Sequence, residues 1–424
     1  MRFAVLGQGT RGDLYPLLGL ARTLLARGHE VVVLEYDEYA EDVRTAGLPF
    51  HEVAQGSQCA SVFANVPEGR ATRRTEWATE QLYFEASLAS ALPFTRALAA
   101  LPRPDVLLAP TMHLGAMLGA DLLGLPLVPT FVGTSVPSRF DTRAPDGVRD
   151  REEARTQRLI DRVTRSRVAA LRAGVGLPPA GASHARVDRL GGLVFAPAPL
   201  AGLLPGVPAS FEIAGYPAYY GAEEHRLPGE LLDFLTGEGP PVVVCSIGDG
   251  WARALPEPLR RLAEEAGRGR FRLLIVGGRM GGLAPGPGTR IAGQVNLVEV
   301  LGHADVSVNH GGMGTLVAAL RNAVPSVLMS QWPDGRRNAA LLDRQGLGVD
   351  VGSAPTAAEV LAAVDRAFTD PGIRRALGAA GDALRHDPEP ADVLLARLGR
   401  AAESRVEGRN GRVPTSPGRG RAPR

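Results

Sequence analysis

The stretch VLGQGTRGDLYPLLGL, Val5–Leu20, decides how the first half of this 424-residue chain is read. An apolar run ends at Leu6, glycines follow at Gly7, Gly9 and Gly12, and a helical pattern of leucines begins a few residues later. Strand, glycine turn and helix in that order open a parallel α/β sheet. The G-x-G-x-x-G spacing, with Glu35 near the end of the next strand-like run HEVVVLEYD, is that of a dinucleotide site. Pro16 and Asp13 speak against that site. Pro16 would fall in the second turn of a helix that starts inside the motif, losing a backbone hydrogen bond and clashing at a cost of about 3 kcal/mol. A first helical position, by contrast, welcomes proline. The expectation is a helix from Pro16 to Arg27 behind a wide loop, GQGTRGD. A carboxylate at Asp13 would repel a pyrophosphate but is stabilised at a helix N-terminus that holds no phosphate. Asp13 then has two readings, a general base at the mouth of a cleft or a helix cap.

The alternation continues outward from that opening. Strand-like PDVLLAP from Pro104 and LPLVPTFV from Leu125 flank the helical LGAMLGADLLG. Between about Arg139 and Leu190 a charged amphipathic helical stretch interrupts the pattern, and Pro- and Gly-rich sequence from Ala196 to Glu230 forms a connector. The alternation then restarts with PPVVVCSIG, FRLLIVGG, ADVSVNH and PSVLMSQW. Short apolar strands alternating with helices predict α/β architecture with parallel sheets covered on both faces. The expected arrangement is two Rossmann-like domains facing each other across a cleft: an N-terminal domain over 1–204, a linker over 205–238 and a C-terminal domain over 239–400. A disordered basic tail is expected over 408–424.

Composition narrows the chemistry. The chain is 45% hydrophobic and 22% charged, as soluble globular proteins are. All 47 basic residues are arginine, so neither a P-loop lysine nor a Schiff-base lysine exists. The net charge of +2 includes five arginines and no acid in the last seventeen residues, which leaves the body slightly acidic and no nucleic-acid partner expected. Two cysteines, Cys59 and Cys245, make neither a disulfide framework nor a metal site. The N-terminus lacks a signal-peptide pattern and every apolar run is too short to span a membrane, so a cytoplasmic protein is expected.

The second half carries its own phosphate-binding pattern in VNHGGMGTLVAALRNAVPSVLMSQWPDGRRNAALL, Val308–Leu342. A strand ends at His310, Gly311, Gly312 and Gly314 permit close backbone approach, and a helix opens at Thr315. Free N–H groups and the dipole at that helix start favour a diphosphate, to which His310 can add a donor. Ser246 and Gly248, at the end of VVVCSIG, lie in the corresponding first loop of this half and could contact the same phosphates. Gln331, Asp334 and Asn338 follow the next strand on the same sheet edge. Asp249 and Trp251, just past the Ser246 loop, are further candidates for reaching the cleft.

GTRGDLYP and NHGGMGT…VPSVLMSQWPDGRRNA together resemble the two signature blocks of the inverting nucleotide-sugar glycosyltransferases of the two-Rossmann (GT-B) type, especially bacterial enzymes that decorate natural products. The resemblance covers residues 1 to about 400. It implies that Asp13 is the base that deprotonates the acceptor hydroxyl and that His310 binds the diphosphate. It further implies that Gly312, Gly314 and Thr315 contact the phosphates and that Asp334 bonds sugar hydroxyls. Two departures stand out. Gly335 replaces the family's glutamine, which points to a deoxysugar or otherwise unusual donor. The segment VNLVEVLGHADV from Val295 is shorter than in relatives beside the nucleobase, so thymidine and uridine diphosphate both stay open. The implied reaction is a single in-line displacement with inversion. The sequence has no D-x-D triplet, so no metal is expected and no cofactor beyond the nucleotide-sugar co-substrate.

His113, in APTMHLGAM, reads either as a residue that orients or deprotonates the acceptor, or as a partly buried histidine satisfied by backbone. Trp77, Tyr83 and Phe84, in RTEWATEQLYFEASL, read either as an apolar acceptor pocket or as core at helical spacing. The expected partners are a small-molecule acceptor and a TDP- or UDP-sugar, with a homodimer or an auxiliary protein left open. The competing functions are a catalytically inactive relative that binds a partner and, behind it, an NAD-dependent oxidoreductase.

Overall fold

The computed structural model describes residues 1–56, 73–133, 162, 164–179, 190–201, 207, 210–221, 227–246, 256–277, 284–330 and 333–410. Two sheets organise them. The first contains β1 (Arg2–Leu6), β2 (Glu30–Glu35), β3 (Phe50–Glu52), β4 (Val106–Pro110), β5 (Leu127–Val132), β6 (Gly192–Phe195) and β7 (Phe211–Ile213), in the order β3-β2-β1-β4-β5-β6-β7. The second contains β8 (Val242–Ser246), β9 (Arg272–Val276), β10 (Thr289–Ala292), β11 (Val306–Asn309), β12 (Ser326–Met329) and β13 (Gly348–Gly352), in the order β10-β9-β8-β11-β12-β13. Every strand pair is parallel. The strands read as unbroken apolar runs because both faces are covered: Phe3, Ala4, Val5 and Leu6 are all fully buried, as are Val243, Val244 and Cys245.

The strand orders fix where ligands go. In each sheet the chain winds one way from the first strand and then reverses, between β1 and β4 and between β8 and β11. A crevice opens outside the carboxyl ends of the strands at such a reversal. In the first half the loop Gly7–Thr10 and the turn Thr111–His113 border it; in the second, Ser246 and His310–Gly312 do.

The first helix corrects the expected start at Pro16. It spans Arg11–Ala26, so Pro16 lies inside it. Thr10 is the N-cap and forms a capping box with Asp13: the Thr10 hydroxyl accepts from the Gly12 N–H at 3.2 Å while the Asp13 carboxylate takes the Thr10 backbone N–H at 2.9 Å. Those bonds satisfy donors that a helix start otherwise leaves free. Pro16 forfeits only the bond to the Gly12 carbonyl, and Gly12 is exposed in the first turn, where water can serve that oxygen.

The first sheet also runs past residue 204. Its last strand, β7, lies within the stretch expected to be a linker, and the helix Gly229–Thr236 follows it there. The last helix, Pro390–Asn410, returns to the first half: Arg397 donates to the carbonyls of Leu190 and Ser210 and pairs with Glu212. One apolar cluster accordingly runs through both halves, from Phe3 and Leu17 through Tyr216 and Tyr219 to Leu316 and Leu394. The last helix takes in the first three residues of the expected tail, and 411–424 lie outside the described residues. Among the described residues no helix is long and apolar enough to cross a membrane.

Candidate functional site

Asp13 sits in the first turn of Arg11–Ala26, pointing back over the glycine loop. Its Oδ2 accepts from the Thr10 backbone N–H and, at 3.1 Å, from the Thr10 hydroxyl. Its Oδ1 has no partner among the described residues. Burial pushes the carboxyl up to about 6, the Thr10 bonds oppose the rise, and the charge of Asp334 adds to it. The cap and base readings are therefore compatible: one oxygen is held by the cap and the other is free.

His310 follows β11 in the second half. Its Nδ1 faces the Ser246 carbonyl at 3.4 Å, and its Nε2 lies over Gly312, 2.5 Å from where a Cβ at that position would stand. Burial lowers its basicity, while the Ser246 carbonyl and the charge of Asp334 work the other way. The loop beneath is pinned. Asn309, buried and held by Ser307 and Ser326, accepts from the Gly311 N–H at 2.9 Å. Asn338 donates to the Gly311 carbonyl at 2.8 Å, and Ser330 donates to the His310 carbonyl at 2.7 Å. The helix that follows, Met313–Arg321, is capped at Gly312 by no side chain, so the N–H groups of its first turn face the crevice. It starts two residues before the expected Thr315, which is buried in that turn.

Asp334 is exposed on the first turn of the helix Pro333–Arg344. Its charge is felt at both Asp13 and His310. The fold thus brings a carboxylate of the first half, and an imidazole, a carboxylate and an uncapped helix start of the second, around one cleft.

Gly335 has a structural cause. A Cβ there would stand 2.5 Å from the His310 carbonyl and 3.3 Å from the Ser330 hydroxyl, so the helix start is pressed against the pinned loop and has no room for a side chain.

Other expectations fare differently. His113 caps the helix Leu114–Leu123 at 1% exposure, its Nδ1 accepting from the Ala116 N–H at 3.1 Å and its ring stacked edge-on against Phe94. Burial lowers it to about 4. Among the described residues its Nε2 makes no well-formed hydrogen bond, although the Gly7 carbonyl lies near enough to the ring to favour the protonated form. That is the buried, backbone-held histidine, and the acceptor-deprotonating role expected for it is withdrawn because the ring is sealed from the cleft. Phe84, at 3% exposure, packs with Leu114, Leu118 and Val168 in a satellite core and does not line an open acceptor pocket. Trp77 and Tyr83 fall on the helix Arg73–Ala100 at positions whose side chains lie outside the described residues. Gly248, Asp249, Trp251 and Gln331 also lie outside them. Ser246 enters the site through its carbonyl.

The dinucleotide reading fails on space. The carboxyl of Glu35 occupies the position a Cβ of Gly7 would take, and the Asp13 carboxylate does the same at Gly9. Two acids fill the ground where a pyrophosphate would approach the backbone. Glu35 is fully buried, its Oε1 accepting from the Tyr36 N–H at 2.9 Å and its Oε2 unpartnered among the described residues, and burial pushes it up to about 8. It is a closed-in neutral acid and offers nothing to a ribose.

The sequence reading missed Tyr216, just beyond β7. Its ring is buried and a Cβ at Gly314 would stand 3.2 Å from its hydroxyl, which places that oxygen at the start of Met313–Arg321. The run of tyrosines in AGYPAYYG was the available signal, since a plain solvated connector has no use for three buried aromatic rings.

Comparisons with known proteins bear on the family and the fold. Residues 3–90 match the N-terminal domain of glycosyltransferase family 28, and residues 281–398 match the C-terminal domain of proteins like erythromycin biosynthesis protein CIII. The O-mycaminosyltylonolide 6-deoxyallosyltransferase of Streptomyces fradiae is 31% identical over 396 residues, covering 88% of this chain and 90% of that one. The dTDP-epi-vancosaminyltransferase of Amycolatopsis orientalis is 26% identical over 386 residues, covering 87% and 90%. Among solved structures, the Streptomyces sp. SF2575 glycosyltransferase SsfS6 in complex with thymidine diphosphate superposes with a TM-score of 0.62 at 23% identity, covering 95% of this chain and 99% of that one.

Proposed function

Because the chain belongs to the GT-B glycosyltransferases of natural-product biosynthesis, we propose an inverting, metal-independent transfer from a thymidine- or uridine-diphosphate sugar to a small-molecule hydroxyl or other nucleophile. The observation that carries this reading is the pairing across one cleft of Asp13, with a free oxygen, and the His310 loop with its uncapped helix start.

The acceptor oxygen attacks the anomeric carbon from the Asp13 side. A new C–O bond forms there, the bond to the β-phosphate oxygen breaks, and the electron pair leaves with the diphosphate. The acceptor proton passes to Asp13 Oδ1. An acid raised to about 6 is ionised at neutral pH yet basic enough to accept that proton as it is released. The departing charge is met by the N–H groups at the start of Met313–Arg321, by the helix dipole and by His310. One displacement without an enzyme nucleophile inverts the anomeric centre. Asp334, whose charge acts on both Asp13 and His310, is the group assigned to accept from sugar hydroxyls. With Gly335 unable to carry a side chain, one donor to the sugar is missing, which favours a deoxysugar. The relative that transfers 6-deoxyallose supports the same choice.

Thermal unfolding with TDP, UDP, GDP and NADH, each with and without EDTA, tests the reading. A stabilisation by TDP or UDP that survives EDTA is expected, by about 3 kcal/mol at a hundredfold excess over Kd. Loss of that shift in EDTA overturns the metal-free mechanism, and a shift with NADH alone overturns the reading as a whole.

A further inference from the structure

Tyr216 makes no hydrogen bond among the described residues, although it is only 6% exposed. Its oxygen is not among the fully enclosed unpartnered atoms, so the reachable remainder of the residue includes the hydroxyl. A buried aromatic ring ordinarily finds a partner for its hydroxyl. This one is directed instead at Gly314, the second residue of Met313–Arg321, where the absence of a Cβ leaves the backbone open to it. The charges acting on it come from both halves: Asp13 and Tyr220 hold its proton on, in support of burial, and Arg321 opposes them. The phenol therefore stays protonated, a neutral donor at the entrance to an uncapped helix.

We propose that Tyr216 is a further catalytic residue of the transfer, its hydroxyl donating a hydrogen bond to an oxygen of the leaving diphosphate at the first turn of Met313–Arg321. The proposal rests on the diphosphate being bound at that helix start. A donor at that place strengthens its bond as the leaving oxygen gains charge, a charge the released nucleoside diphosphate carries in full. Tyr216 also lies in the segment that joins β7 of the first sheet to the helix Gly229–Thr236. The same hydrogen bond ties the diphosphate, held by the second half, to the connection between the halves.

Isothermal titration of TDP and UDP into the wild type, Tyr216→Phe and His310→Ala tests it. Tyr216→Phe removes one oxygen that bonds to nothing among the described residues, so its thermal unfolding is expected to match the wild type. Its affinity for whichever nucleotide the wild type binds is expected to fall about tenfold, the scale of one charge-assisted hydrogen bond. Affinity within twofold of the wild type for Tyr216→Phe, alongside weakened binding by His310→Ala, overturns the role of Tyr216 and leaves the diphosphate site standing. Binding of neither nucleotide by the wild type overturns the diphosphate site itself.

Discussion

At the scale of single residues, the site turns on how burial divides two carboxyls packed against the same glycine loop, Glu35 at Gly7 and Asp13 at Gly9. Glu35 is sealed in and pushed up to about 8, so at neutral pH it is mostly a neutral acid with an unpartnered oxygen. Asp13 keeps contact with the cleft and two bonds from Thr10, which limit its rise to about 6. Asp13 must be ionised to take a proton, so turnover is expected to climb as pH rises through about 6 and to level off above it, read from a pH–kcat/KM profile. Asp13→Asn keeps an oxygen to accept the Thr10 bonds but removes the base. Turnover is expected to fall by about 10² or more while nucleotide affinity holds. A variant with wild-type turnover moves the base elsewhere in the cleft. The sequence marked Asp13 because a carboxylate that would repel a bound pyrophosphate is stabilised at a helix N-terminus that holds none. It left the state of Glu35 open, because the desolvation that shifts it is a property of the packed sheet.

At the scale of elements, the two helix starts that face the cleft are built differently. Arg11–Ala26 is closed by its own side chains through the Thr10–Asp13 box, whereas Met313–Arg321 is left uncapped. The first start was misplaced from sequence because the cost of Pro16 was counted and the capping box, T-x-x-D in place of the commoner glutamate, was not. The closed start suits a base and the open one an anion. The third start, Pro333–Arg344, is pressed on the His310 loop through Gly335. Gly335→Gln, which writes the family's glutamine back, is expected to act as overpacking. It should lower thermal stability by about 1–3 kcal/mol and weaken diphosphate binding through the displaced His310 carbonyl. Improved transfer of a fully hydroxylated sugar by that variant would contradict the closed geometry.

At the scale of the whole molecule, the halves are joined by more than a connector. Gln294, beyond β10, donates to the Tyr15 hydroxyl on the first helix, and Tyr15 in turn donates to Asp42 at 2.6 Å. The last helix closes the other side through Arg397, which donates to the carbonyls of Leu190 and Ser210 and pairs with Glu212. Arg397→Ala leaves the Leu190 and Ser210 carbonyls without that donor and is expected to cost about 1–3 kcal/mol in denaturant unfolding, with nucleotide affinity little changed. An unaltered midpoint would mean that the last helix is held by its apolar face alone.

The sequence by itself determined the two parallel sheets, the glycine loops at their carboxyl ends, and Asp13, His310 and Asp334 as the residues to watch. Apolar runs, glycine spacing and helix-start chemistry are local properties, written within a few residues of one another. Only the tertiary structure decided that His113 and Phe84 are sealed in the interior, that Gly335 is a glycine for want of space, and that the hydroxyl of Tyr216 reaches a helix start about a hundred residues further along the chain. Burial and close approach depend on which distant backbone arrives at a given point, and strand order, not local pattern, sets that.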